Sequence, residues 1–235
     1  MPYKSEPAKL RIFLVDDHPL VREHLTALLQ REPDLQVCGE AGDGPTALEL
    51  IPRREPDLVI LDLSLKRSHG LELLKDLKEM RPKLPVLVLS MHDESLYAER
   101  ALRAGASGYI TKEEASTDVL SAIRKVLAGQ VYVSERIAGR MMRKMVGRPQ
   151  EMIESPLEVL TDRELEVFQM IGEGLGTRQI AETLRVGIKT VESYRARIKE
   201  KLHLADGHQL LQHAIQWVQG ANRSASPDDN PARNL

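Results

Sequence analysis

Five polar residues stand where short apolar runs end. Asp16 and Asp17 close Ile12-Phe13-Leu14-Val15, and Asp62 closes Leu58-Val59-Ile60-Leu61. Ser90 closes Val86-Leu87-Val88-Leu89, and Lys112 follows Ser107-Gly108-Tyr109-Ile110. If these runs are strands of one open parallel sheet, all five groups arrive at its carboxyl edge, where such sheets bind ligands. Three carboxylates brought together repel one another and require a cation among them. Oxygen donors with room for water suit Mg²⁺ better than zinc. In that setting Asp62 is a nucleophile toward phosphorus. The cation and Lys112 neutralise the phosphoryl oxygens, and Ser90 hydrogen-bonds one of them. A single Asp or Ser at a strand end is ordinarily a helix cap; five on one edge read as a site.

The elements that must position these groups alternate along the first half of the chain. The apolar runs are continuous rather than alternating, which means burial on both faces and hence a parallel sheet covered by helices. Leu35-Gln36-Val37-Cys38, with Gly39 behind it, is the weakest run. Helix-like stretches lie between the runs at about 18–31, 43–54, 70–81, 95–105 and 115–128. The expectation is a doubly wound α/β domain, (βα)5 with a five-stranded parallel sheet, over residues 10–129 after a tail at 1–9.

Composition removes several other classes. The chain has 235 residues, with 33 Lys and Arg against 35 Asp and Glu, so it is no polycation coating nucleic acid or membrane. Aromatic content of 3% disfavours an all-β sandwich. One cysteine, Cys38, excludes an internal disulfide framework and a multi-cysteine zinc site. The polar start of the chain lacks the apolar stretch of a signal peptide, and no run reaches the ~20 residues that span a bilayer. A reduced, cytoplasmic protein with no membrane partner is expected.

Beyond residue 129 the pattern changes. Ser134 to Met145 can form a short basic helix, and Gly147, Pro149 and Pro156 punctuate a stretch that makes 130–156 a linker. Residues 157–219 are helical by period, and 220–235 carry the Ser, Pro, Asp and Asn of a disordered tail. Thr161-Asp162-Arg163-Glu164 is a capping box that starts a helix. Helices at about 177–184 and 188–202, joined by Arg185-Val186-Gly187, have helix-turn-helix proportions in an all-α domain. Between 188 and 201 there are five basic residues against two acidic ones, so positive charge gathers on one helix. A charged stripe is usually a solvated face. As the second helix of a tight pair it reads better as a DNA recognition helix. Lys189, Glu192, Ser193 and Ala196 are then expected to face the major groove, and Arg195, Arg197, Lys199 and Lys201 the phosphates.

Both halves resemble a known family. Val15-Asp16-Asp17-His18, Asp57 to Leu63, Leu89-Ser90-Met91-His92 and Gly105 to Lys112 are similar to the motifs of two-component receiver domains. Leu160-Thr161, Arg163-Glu164, Ile180-Ala181, Thr190-Val191-Glu192, Tyr194 and Lys201-Leu202 resemble the LuxR-type helix-turn-helix of NarL/FixJ response regulators. The resemblance implies that Asp62 is the phosphoacceptor and that Asp16, Asp17, Asp62 and the backbone carbonyl of Ser64 hold Mg²⁺. It also implies that Ser90 and Tyr109 form the switch pair, and that Lys112 meets the phosphate. Its implied partners are a sensor histidine kinase and double-stranded promoter DNA.

The chain departs from the family at several places. Lys66 stands where a proline is usual four residues after the acceptor, adding charge that bears on phosphoryl lifetime or kinase docking. Glu113 follows Lys112 where many receivers have proline, Gly176 and Gly187 replace capping serines, and Tyr194 replaces a histidine. An aspartyl phosphatase would place a second Asp two residues after the nucleophile. Ser64 is there instead and cannot protonate a leaving group, so no enzyme is expected. His18, His69 and His92 lie near the acidic edge on three loops, a scatter that suggests local packing or tuning rather than metal ligation.

One recognition helix reads only a few base pairs, so a homodimer on two half-sites is expected once the protein is phosphorylated. The last helix, about 209–218, carries more apolar surface than a three-helix core can cover. The family resemblance makes this helix, with Leu211, Ile215, Trp217 and Val218, the implied dimer contact of the output domain. Phosphorylation is expected to relieve an inhibition of the output domain by the receiver.

Overall fold

Each apolar run becomes a parallel strand. The computed structural model describes residues 9–65, 69–91, 94–146 and 155–224. The strands are β1 (Leu10–Val15), β2 (Leu35–Ala41), β3 (Leu58–Leu61), β4 (Val86–Ser90) and β5 (Gly108–Thr111). They form one sheet in the order β2-β1-β3-β4-β5, with every pairing parallel. The crossovers are α1 (Pro19–Leu29), α2 (Gly44–Arg54), α3 (Gly70–Met80) and α4 (Glu94–Arg103), and α5 (Ala115–Leu127) follows β5. This is the (βα)5 doubly wound fold.

Alternation along the strands sorts the core. Ile12, Leu14, Leu58, Ile60, Leu87, Leu89 and Ile110 pack with Leu25 and Leu29 of α1 and with Val119, Ala122, Ile123 and Val126 of α5. The residues between them, Phe13, Val59, Leu61, Val88 and Tyr109, are buried as deeply, so both faces of the sheet are covered. Each such aliphatic side chain contributes about 1.5–3 kcal/mol by leaving water, which is why the pattern dictates the fold. The weak second run gains most from this context. β2 reaches Ala41 by shifting register between Ile12 and Phe13, which leaves Cys38 out of step with β1. Pairing with a central strand overrides a poor local pattern.

Contacts separate the chain into two units, Met1–Met152 and Ile153–Leu235. The stretch after α5 is more ordered than a linker composition suggests. Tyr132 forms a parallel bridge with Gly108, and α6 (Glu135–Met145) packs on α4, with its Ile137 buried.

In the second unit a 3-10 turn, Pro156–Val159, leads into α7 (Asp162–Gly172), α8 (Thr177–Leu184), α9 (Ile188–Lys201) and α10 (Gly207–Ser224). Leu160, Leu165, Phe168, Ile171, Ile180, Val191, Ile198, Leu210 and Ala214 make its core. The capping box at α7 is complete. Glu164 N–H donates to Thr161 Oγ1 at 3.3 Å, and Thr161 N–H donates to Glu164 Oε2 at 2.8 Å. α10 extends to Ser224, past the point where tail composition begins at residue 220. Propagating an established helix costs little, and no proline intervenes before Pro227. The expected linker stretch 147–154, Lys66, His92 and the tail beyond 224 lie outside the described residues.

Candidate functional site

The carboxyl edge of the sheet gathers the expected groups. Asp16 follows β1, Asp62 follows β3 and Lys112 follows β5, while Ser90 is the last residue of β4. Lys112 Nζ lies 2.7 Å from Asp62 Oδ2 and 2.7 Å from Asp16 Oδ2, with both carboxylates almost fully buried. The protein thus supplies one cation of its own to the acidic cluster. Burial pushes the Asp62 carboxyl above the usual carboxylate range; Lys112 pulls it down, and Asp16 pushes it further up. Burial works to lower the Lys112 ammonium, but Asp62 and Asp16 outweigh it and hold the ammonium above the ordinary lysine value. Oxygens of Asp16, Asp17 and Asp62 and a ring nitrogen of His18 all lie within 4.8 Å of one another. Three carboxylates at that spacing suit a hard divalent cation bound through oxygen.

Local chemistry fixes these side chains. Lys112 N–H donates to Ser90 O at 2.9 Å, which ties the ends of β4 and β5. Thr111 Oγ1 donates to Glu114 Oε2 at 2.9 Å, and Glu114 N–H donates back to Thr111 Oγ1 at 3.3 Å, so the turn carrying Lys112 is clamped from both sides. Ser64 N–H donates to Asp62 Oδ1 at 3.1 Å. Ser90 and Tyr109 are both fully buried. His18 caps this group more closely than the scatter of histidines suggested. Its Nδ1 is 2.8 Å from Asp17 Oδ1 and 3.2 Å from Asp16 Oδ1, and its N–H donates to Asp16 Oδ1 at 2.8 Å. The signal was its adjacency to the acidic pair. His69 instead accepts from Leu71 N–H at 3.3 Å, capping α3.

The second unit presents α9 behind a three-residue turn. Arg185 there takes the left-handed conformation, φ 54°, and Gly187 begins the helix. Val191 and Ile198 are fully buried, while Lys189, Glu192, Ser193, Ala196 and Arg197 are exposed and Arg195 and Lys199 half-buried. The four residues expected at the major groove are among those left exposed. Ser193 Oγ donates to Lys189 O at 2.9 Å.

Residues 12–124 match the model of the response regulator receiver domain, and residues 158–214 match that of the luxR family of bacterial regulatory proteins. The chain belongs to the NarL/FixJ-type response regulators. This response regulator is 35% identical over 222 residues to the DNA-binding transcriptional activator DevR/DosR of Mycobacterium tuberculosis, across 94% of its own chain and 100% of that protein. It is similar to the solved RcsB response regulator of Salmonella typhimurium, with 25% identity and a TM-score of 0.69 over 89% of this chain and 98% of that one. It is also similar to RcsB of Salmonella enterica serovar Typhimurium bound to promoter rprA in the presence of the phosphomimetic BeF3⁻. That match has 25% identity and a TM-score of 0.65 over 88% of this chain and 98% of that one.

Two groups of residues in this response regulator sit differently from expectation. Lys201, expected at the phosphates, places Nζ 2.6 Å from Oε2 of the buried Glu164, tying the end of α9 to the start of α7. Burial works against the ionised Glu164, but Lys201 and the Thr161 bonds prevail and lower its carboxyl below the usual range. Trp217 and Val218 are half-buried, as is Ile215. The Trp217 ring lies 6.0 Å from that of Phe168, and a Cβ on Gly172 would meet Ala214 O at 2.4 Å and Val218 Cγ2 at 2.6 Å. Gly172 thus lets α10 lie directly on α7, covering apolar surface that seemed too large to cover. Leu211, 38% exposed, and the half-buried Ile215 remain at the surface. Among the described residues no helix is long and apolar enough to cross a membrane.

Proposed function

We propose that this response regulator is a cytoplasmic, phosphorylation-gated transcription factor whose acceptor is Asp62 and whose output domain binds promoter DNA as a homodimer. The observation that carries it is the approach of Lys112 Nζ to both Asp62 and Asp16 at the edge where Asp17 joins them. A sensor histidine kinase donates the phosphoryl group: its N–P bond breaks as an Asp62 oxygen forms the new O–P bond. Asp16, Asp17, Asp62 and the Ser64 carbonyl would hold Mg²⁺, which when bound supplies further positive charge for the phosphoryl oxygens. Lys112 turns from the carboxylate to the new phosphoryl group, and the Ser90 hydroxyl hydrogen-bonds one of its oxygens. Movement of Ser90 toward that oxygen frees space beside the buried Tyr109, and phosphorylation favours the arrangement in which the ring fills it.

In the output domain Lys189, Glu192, Ser193 and Ala196 read base edges, and Arg195, Arg197 and Lys199 approach phosphates. Lys201 acts as a strut within the domain. Leu211 and Ile215 are the proposed dimer contact. The unphosphorylated receiver restrains the output domain, and phosphorylation releases it. Acetyl phosphate with Mg²⁺ is expected to place one hydroxylamine-sensitive acyl phosphate on the protein, mapped to Asp62. A label that persists in Asp62→Asn would contradict the assignment.

A further inference from the structure

The segment that leaves the receiver is fastened at two points, one on the strand that carries Tyr109 and one on the helix that begins four residues after Ser90. The first is backbone pairing on the outer edge of β5. Tyr109 N–H donates to Tyr132 O at 2.8 Å, and Tyr132 N–H donates to Ser107 O at 3.2 Å. Only a residue without Cβ allows this approach, since a Cβ on Gly108 would meet Tyr132 O at 2.9 Å. The Tyr132 side chain packs against the core beneath α5, with Lys125 Nζ 5.3 Å from its ring centre.

The second point is a carboxylate clasp. Glu94, the first residue of α4 and four residues beyond Ser90, is 5% exposed. Its carboxylate accepts from Ser134 Oγ at 2.7 Å, Ser134 N–H at 3.3 Å and Arg136 Nη2 at 3.4 Å. The same Ser134 hydroxyl accepts from Ile137 N–H at 3.3 Å, so one oxygen both caps α6 and ties it to α4. Covering a sheet edge needs only apolar or backbone contacts. A buried carboxylate loses its hydration and holds only where its donors are correctly placed, which makes the clasp sensitive to small shifts.

We infer that residues 131–137 form an output lever, in which the Tyr132 pairing and the Glu94–Ser134 clasp carry the state of Ser90 and Tyr109 into helix α6. Glu94 and Ser134 are positioning residues: neither touches the phosphoryl group, and both set where α6 stands. A change in β5 moves the acceptor of the Tyr109 amide, and a change in the start of α4 moves the cap of α6. The lever rests on phosphorylation of Asp62 as proposed above.

The test uses the full-length protein with acetyl phosphate and Mg²⁺. Hydrogen exchange of peptides covering 131–145 is followed by mass spectrometry while acyl phosphate is quantified in the same samples. Duplex binding is measured with a sequence selected from a random library by the phosphorylated protein. In the wild type, phosphorylation is expected to change exchange across 131–145 by fivefold or more, a coupling on the order of 1 kcal/mol. Glu94→Gln and Ser134→Ala are expected to reach wild-type acyl phosphate yet lose that change and most of the stimulation of DNA binding. Ser134→Thr, which keeps the hydroxyl, restores both. Gly108→Ala, which pries Tyr132 from β5, is a second route to the same loss with Glu94 and Ser134 intact. Unchanged exchange in a fully phosphorylated wild type, or full stimulation in both Glu94→Gln and Gly108→Ala, overturns the lever and leaves Asp62 as the acceptor. Absence of acyl phosphate in the wild type overturns the acceptor assignment, and the lever with it.

Discussion

Lys112 Nζ and Asp62 Oδ2 stand 2.7 Å apart, 50 residues distant in sequence, and the same ammonium reaches Asp16 at 2.7 Å. One lysine thus pairs with two buried carboxylates. Removing it enlarges the cluster's surplus of negative charge. Lys112→Ala is expected to bind Mg²⁺ more tightly than wild type while losing phosphoryl transfer from acetyl phosphate. Calorimetric titration with Mg²⁺ and acyl-phosphate yield separate the two effects. Weaker Mg²⁺ binding together with unchanged yield would show that Lys112 plays neither part.

The buried acceptor also carries a stability signature. The Asp62 carboxyl is raised by burial, with Asp16 adding to the effect against the pull of Lys112. A carboxyl titrating higher in the folded chain than in the unfolded one favours folding most below the unfolded value. That contribution is lost as pH rises through the folded value. At neutral pH the ionised acceptor therefore costs stability. Asp62→Asn is expected to raise the receiver melting temperature without divalent cations by a few degrees, on the order of 1 kcal/mol. Added Mg²⁺ stabilises the wild type more than this variant. A lower melting temperature in Asp62→Asn at pH 7 would reverse the assigned balance of burial and pairing.

In the output domain the buried Glu164 has the opposite sign. Its lowered carboxyl supports folding above the unfolded value, and that support is lost as pH falls through the folded one. Lys201→Ala takes the cation from a buried carboxylate and is expected to cost about 1–3 kcal/mol. Trp217, the chain's one tryptophan, reports on unfolding of this unit. Arg197→Ala is expected to leave stability unchanged and to flatten the salt dependence of duplex binding by about one unit. Equal effects of the two substitutions on the salt slope would return Lys201 to the DNA backbone.

Glu192 gives the reading face its character. A carboxylate beside phosphates is unfavourable unless it accepts from a base, and cytosine N4 is the matching donor. Glu192→Ala is expected to relax specificity at one base pair, scored against a base-substituted panel of the selected duplex. Identical affinity ratios for wild type and variant would make Glu192 a solvated helix residue.

The exposed surface of α10 is tested by contrast. Leu211→Glu is expected to reduce cooperative binding to paired half-sites without lowering the unfolding midpoint. Trp217→Glu is expected to lower the midpoint, because that ring packs beside Phe168. The reverse pattern would place the dimer contact at the end of α10.

The sheet and its acidic edge were legible because continuous apolar runs ending in Asp, Ser and Lys leave few arrangements open. The ion pair of Lys112 with two carboxylates was not legible, since a cation was needed and sequence does not say which cation answers. The packing of Trp217 beside Phe168 was not legible for a related reason. Covering it depends on a glycine 45 residues away, Gly172, that lets two helices touch. Tyr132 and Ser134 looked like linker because their partners, Gly108 and Glu94, lie on other elements. Periodicity reports which face of an element is buried, not what a single side chain meets there.

Duplex binding by the full-length protein, with and without acetyl phosphate and Mg²⁺, in wild type and Asp62→Asn, tests the central claim most directly. The expected result is salt-sensitive binding that tightens on phosphorylation in the wild type and does not respond in the variant. Equal tightening in both, or binding by the wild type that ignores the phosphodonor while acyl phosphate accumulates on Asp62, would contradict phosphorylation-gated DNA binding.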